Sequence, residues 1–165
     1  PGLLRTNFSF MHVKGFDEDI YAREYRRLEE QITEVPNLRI IATDISDDAI
    51  NISKVNAAMA GIEKYISFDV CDFEETQIPE PPGIVFFNPE YGERLGEVDE
   101  LQKTYERIGD FMKKRCQGYS GYVFTGNLDL AKKIGLKAKR RIEFYTAKLD
   151  CRLLEYELYS GTKRE

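Results

Sequence analysis

Tryptophan is absent from the 165 residues, histidine occurs once and cysteine three times, and no unbroken apolar run exceeds four residues. A helix that crosses a bilayer needs roughly 20 apolar residues in a row, so the sequence offers no such span. Cys71, Cys116 and Cys151 are odd in number, widely spaced and without a C-x-x-C pair, and no histidine-cysteine cluster accompanies them. A disulfide framework and a zinc site are both disfavoured, and a reducing, cytoplasmic setting is the expectation. The opening Pro1-Gly2-Leu3-Leu4-Arg5 has neither an initiator methionine nor the basic, apolar, small-residue order of a signal peptide. The expectation is the carboxyl-terminal part of a larger protein.

Basic residues are in deficit as well: 24 Lys and Arg stand against 29 Asp and Glu, a formal charge of −5. Such a chain has no overall field that would gather nucleic acid, so any contact of that kind must be local. What is present is enough for one domain. At this length folding buries roughly 70% of the surface the unfolded chain exposes, and 42% of the residues are hydrophobic. A core therefore needs no disulfide or structural metal.

Apolar Tyr21, Tyr25, Leu28 and Ile32 recur at helical spacing among Glu and Arg, which predicts an amphipathic helix over 17–33, ended by Pro36. Residues 38–43 read as a short buried strand that stops at Asp44. Ser46 is a natural N-cap with Asp47 and Asp48 behind it, and Ile52, Val55, Asn56 and Met59 are expected to line one face of the helix before Gly61. Residues 65–70 give the next strand, and 84–87, apolar throughout, a third that should be covered on both faces. Leu101, Tyr105, Ile108 and Met112 stripe a helix ending near Cys116, and 121–125 form a fourth strand. The βαβα alternation predicts an α/β fold, with residues 139–145 and 151–159 as an antiparallel hairpin at the tail.

In open α/β sheets ligands bind beyond the carboxyl ends of the strands. Polar side chains gather there: Asp44 after the first strand, Asp69 and Asp72 at the second, and Asn88-Pro89-Glu90-Tyr91 after the third. A carboxylate at such an end can accept both ribose hydroxyls of a nucleoside, although acids also cap helices and the acidic run 69–80 also suits a solvated loop. Asn-Pro followed by an aromatic ring either presents an amide and a ring to a ligand or simply begins a turn in which Tyr91 packs inward.

Residues 88–95, N-P-E-Y-G-E-R-L, resemble the N-P-P-Y-G-E-R signature of the UPF0020-type RNA methyltransferases. Thr43-Asp44-Ile45-Ser46 is similar to that family's G-S-D-x stretch, Leu149-Asp150-Cys151-Arg152 to its tail hairpin, and Pro1-Gly2-Leu3 to the segment after its cofactor-loop helix. The resemblance implies a class I, Rossmann-like methyltransferase catalytic domain over 1–165, dependent on S-adenosyl-L-methionine. Its target would be an exocyclic amine of a nucleobase, with guanine N2 of large-subunit ribosomal RNA foremost, reached with the help of an upstream RNA-binding domain. It also implies that Asp44 and Ile45 meet the cofactor ribose side and Asp72 with Phe73 its adenine. Asn88, also at the cofactor, would join Pro89 and Tyr91 in catalysis, and Glu90, Tyr91 and Arg94 would face the substrate. No metal and no membrane enter this picture.

The sequence departs from the family pattern twice. Glu90 stands where the family has Pro; its carboxylate would either stabilise a developing ammonium or displace the base. The glycine-rich D-P-x-C-G-S-G-T loop does not occur in these residues, and the strand before it would lie between those at 38–43 and 84–87. A sheet lacking that strand is expected to have a central gap, closed by rearranged or exchanged strands or by an oligomer, or narrowed as its neighbours move closer. Two other functions remain open: an N6-adenine DNA methylase, and an inactive methyltransferase-like binding module.

Lys132, Lys133, Lys137, Lys139, Arg140 and Arg141 put six cations in ten residues. They would follow an RNA backbone or protect an edge strand. Arg94 either pairs with Glu93 or Glu97 or contacts a phosphate, and His12 is assigned no role.

Overall fold

The computed structural model describes residues 3, 5–92, 98–146 and 149–159. They form two compact units, Pro1–Thr76 and Gln77–Glu165.

The first unit opens with a 3-10 turn, Ser9–His12, and helix α1, Glu18–Glu30. Asp17 caps α1 by accepting from the Asp19 and Ile20 amides, and Glu18 and Asp19 meet the positive end of the helix dipole. Phe10, Phe16, Tyr21 and Tyr25 pack ring against ring at about 6 Å. Leu28 and Ile32 stay exposed. That explains a correction: α1 closes at Glu30, with Gln31 as its C-cap, well before Pro36. With no burial to support another turn, β-branched Ile32 and Thr33 leave the helix unaided.

Strands β1, Ile40–Asp44, and β2, Ile66–Val70, pair in parallel with Ile40 opposite Ile66 and Asp44 opposite Val70. Helix α2, Asp47–Met59, makes the crossover, and the Ser46 hydroxyl caps it by accepting from the Ala49 amide at 3.3 Å. Gly61, at φ +67°, turns the chain out of the helix. Two further expectations are corrected in this unit. The face of α2 that is buried carries Ile50 and Ala57, while Ile52, Val55 and Met59 are exposed. Apolar residues lie on more than one side of α2, so periodicity alone does not choose the packed face; the crossover does. β1 is half-exposed rather than buried.

The second unit holds β3, Ile84–Phe87, helix α3, Val98–Arg115, β4, Ser120–Thr125, helix α4, Leu128–Lys132, β5, Arg140–Thr146, and β6, Leu149–Glu157. The sheet order is β3-β4-β6-β5, with β3 and β4 parallel and the other pairings antiparallel. The expected tail hairpin is present as β5 and β6. β1 and β3 belong to different sheets, as expected of strands that are not direct neighbours.

The core sits on one face of this sheet. Leu101, Tyr105, Ile108 and Met112 of α3 are buried with Val123, Leu130, Ile134, Leu154 and Tyr156, and Phe87 meets Phe111 edge-on at 6.0 Å. β3 is not covered on both faces as its apolar run suggested: Ile84 is 71% and Phe86 58% exposed. Alternate residues of a strand point to opposite faces, and α3 packs against the one that carries Phe87.

Candidate active site

Because β1 and β2 are parallel and in register, their carboxyl ends fall together. Asp44 ends β1 and is exposed. The Ser46 amide donates to its Oδ1 at 2.8 Å, which aims the carboxylate, and the Cys71 amide donates to its carbonyl at 3.0 Å. Asp72 accepts from the Glu74 amide at 3.0 Å and caps the 3-10 turn Phe73–Glu75. A hydrogen bond of 2.8 Å between the Thr43 and Thr76 hydroxyls closes this loop back onto β1.

Asp44, exposed Ile45, Asp72 and half-buried Phe73 are thereby gathered at one end of the β1-β2 pair. Carboxylates for vicinal hydroxyls beside apolar side chains for a flat ring are a donor set that suits a nucleoside. Burial pushes the Cys71 thiol up, and the nearby Asp69, Glu75 and Asp72 carboxylates add to the effect against a Thr76 hydrogen bond.

In the second unit Asn88 directly follows β3 and is exposed. The Tyr91 hydroxyl donates to Asn88 Oδ1 at 2.8 Å, using one of that oxygen's two lone pairs. The Tyr91 ring is half-buried and edge-on to Phe124, with centroids 6.4 Å apart. It also lies over Gly126, where a Cβ would come within 3.1 Å of Tyr91 Cδ2. Burial raises the Tyr91 phenol above its ordinary value, and Cys151 adds to this. Tyr91 therefore combines the two sequence readings, part packed and part presented.

Two carbonyls of the turn are held from outside it. The Tyr105 hydroxyl of α3 donates to the Glu90 carbonyl at 3.2 Å, and Asn127 Nδ2 donates to the Tyr91 carbonyl at 3.0 Å. Among the described residues the Pro89 carbonyl accepts no hydrogen bond. Exposed Glu90 points no further group at these atoms among the described contacts, and Arg94, with Glu93 and Glu97, lies outside the described residues.

Tyr105 was legible only as one member of an apolar stripe, and Asn127 was not singled out at all. An Asn immediately before a Leu-Asp-Leu run is an N-cap signal, and Asn127 does cap α4, accepting from the Asp129 and Leu130 amides. Three of the six cations in the stretch 132–141 are paired with acids. Lys132 meets Asp129 at 2.8 Å, Arg140 meets Glu155 at 2.9 Å and Lys139 meets Glu157 at 3.7 Å. β5 is the outer strand of its sheet, so the edge-protecting reading gains these partners.

Residues 1–155 match the family described as UPF0020, RMKL-like, methyltransferase domain. A ribosomal RNA large subunit methyltransferase K/L from Syntrophotalea carbinolica is 34% identical over 166 residues, covering 96% of this chain and 23% of that protein. The protein of the same description from Chromohalobacter salexigens is 35% identical over 161 residues, covering 93% and 22%. The chain thus spans about a quarter of the length of these relatives. Among solved structures, a methylase candidate from Clostridium difficile 630 superposes with a TM-score of 0.79 at 25% identity, covering 98% of this chain and 42% of that one. A predicted N6-adenine-specific DNA methylase from Listeria monocytogenes gives 0.72 at 26% identity, covering 94% and 40%.

Proposed function

The chain belongs to the UPF0020 family of RMKL-like methyltransferase domains, and from that premise we propose that it forms part of an enzyme that transfers methyl groups to an exocyclic amine of a nucleobase in RNA. S-adenosyl-L-methionine is the cofactor of this family. Within the proposal, guanine N2 is the foremost target, and large-subunit ribosomal RNA as the substrate is in keeping with what the K/L relatives are named for. Adenine N6 is the second reading, favoured by the likeness to the Listeria protein.

The observation that carries the proposal is the Asn88–Tyr91 turn at the carboxyl end of β3, with an exposed amide and an unclaimed Pro89 carbonyl. An exocyclic amine is a weak nucleophile because its lone pair is delocalised into the ring. Two acceptors, Asn88 Oδ1 and the Pro89 carbonyl, would receive its N–H groups, fix its direction of attack and favour the positive charge that grows on nitrogen. Asn88 Oδ1 retains a lone pair for this beside the Tyr91 bond. The exposed part of the Tyr91 ring would stack on the unpaired base.

The Asp44 carboxylate, oriented by the Ser46 amide, would hold ribose hydroxyls with Ile45 beside it, and Asp72 with Phe73 would meet the adenine. The bound cofactor supplies a methyl carbon activated by its sulfonium, so the protein's task is orientation. Arg94 and Glu90 belong to the substrate side of the proposal.

The test is methyl transfer from labelled cofactor to ribosomal RNA, followed by digestion to nucleosides. Loss of Asn88 in N88A should lower kcat about 100-fold or more, as removal of a transition-state acceptor does. N2-methylguanosine as product supports the first reading and N6-methyladenosine the second. N88A activity equal to the parent's would refute both.

A further inference from the structure

Thr125 and Tyr105 are fully buried, and their hydroxyls meet at 2.8 Å. Each hydroxyl has one proton to give, which fixes the direction of the chain of bonds. Tyr105 spends its proton on the Glu90 carbonyl at 3.2 Å, so the proton between the two hydroxyls belongs to Thr125. Thr125 therefore cannot also serve the Asn127 carbonyl, which at 3.4 Å is the poorer acceptor. Its oxygen instead accepts from the Asn127 amide at 3.0 Å. The order runs from the Asn127 N–H to Thr125, from Thr125 to Tyr105, and from Tyr105 to the Glu90 carbonyl.

Asn127 has a second arm. Its Oδ1 is occupied by the Asp129 and Leu130 amides at 3.1 Å, which leaves Nδ2 to reach the Tyr91 carbonyl at 3.0 Å. Two successive peptide planes, 90–91 and 91–92, are thus each pinned by a donor from another element, while the plane before them keeps its Pro89 carbonyl free among the described residues.

We infer that Tyr105 and Asn127 are positioning residues that lock the Glu90 and Tyr91 carbonyls and thereby hold the Asn88 amide and the Pro89 carbonyl at the angle the target amine requires. This rests on the function proposed above, and it adds that the turn owes its geometry to donors from α3 and the end of β4 as well as to its own bond between Tyr91 and Asn88. Without the pins, either peptide plane can rotate and swing the free acceptors away.

The experiment uses N127D and Y105F, with D129A as control. Aspartate caps a helix as well as asparagine does, so N127D keeps α4 and replaces the donor to the Tyr91 carbonyl by a carboxylate oxygen that repels it. Backbone 15N relaxation reads each plane separately, since the Gly92 N–H shares a plane with the Tyr91 carbonyl and the Tyr91 N–H with that of Glu90. Rigid planes give order parameters of about 0.85 and loose ones below about 0.6. N127D should loosen Gly92, Y105F should loosen Tyr91, and D129A should leave both unchanged.

In the transfer assay both pin variants should lose about 10- to 100-fold in kcat, the usual result of misplacing a reacting group, with the KM for cofactor unchanged. Order parameters equal to the parent's, or loosened planes with an unaltered kcat, overturn the inference. A parent enzyme, assayed with its glycine-rich cofactor loop present, that transfers no methyl group refutes the function proposed above instead, and the relaxation data then decide the pinning alone.

Discussion

Replacing Gly109 by alanine sets two large effects against each other. Gly109 lies inside α3, where alanine is ordinarily preferred by up to about 1 kcal/mol. Here its Cβ would run into the carbonyl oxygen of Ile134, well inside the 3.4 Å at which ordinary contact begins. The clash falls on backbone, so no side chain can swing aside to absorb it. α3 and the chain at Ile134 must separate, and Ile134 and Leu130 are both core residues. Overpacking of this kind costs about 1 to 3 kcal/mol, and a backbone obstacle puts it at the upper end.

The net expectation is a loss of about 2 kcal/mol, read in urea as a midpoint lower by roughly 1 M. Tyr105 stands one helical turn before Gly109, so methyl transfer should fall as well. Circular dichroism against urea, with the parent alongside, makes the measurement. A midpoint that rises, as propensity alone demands, would refute the close approach of α3 to Ile134.

Two further predictions concern other parts of the chain. S46A removes the hydroxyl that caps α2 and should cost about 1 kcal/mol, visible as a lower urea midpoint; no change would mean that the 3.3 Å bond to the Ala49 amide contributes nothing. Stability should also fall in alkali. Burial raises Cys116 from 9.0 to about 11 against a small opposing effect of Arg115, and burial raises Tyr156 from 10.0 to about 12. Between the ordinary and the raised values the unfolded chain has released protons that the folded one retains, so stability declines as pH rises. The decline should begin near 9 and level off near 12, and a thiol reagent at pH 8 should leave Cys116 untouched until the protein unfolds.

Local chemistry made much of the fold legible. Ser46 followed by two aspartates announced the start of α2, and the 3.6-residue stripe Leu101, Tyr105, Ile108, Met112 gave both α3 and its buried face, because one side of that helix is apolar and the other charged. The stripe of α2 misled because its apolar residues are not confined to one side. The four apolar residues of β3 misled in a similar way: hydrophobicity reports what a strand tolerates, and α3 packs against only one of its faces.

By itself the sequence determined the α/β alternation, the strand ends on which Asp44, Asp72 and Asn88 lie, and the family, since these depend on residue type and spacing along the chain. Tertiary structure alone decided which donors reach the turn after β3. Tyr105 is 15 residues and Asn127 36 residues from the carbonyls they hold, and hydrogen bonds over such separations exist only once α3 and the end of β4 have packed beside that turn.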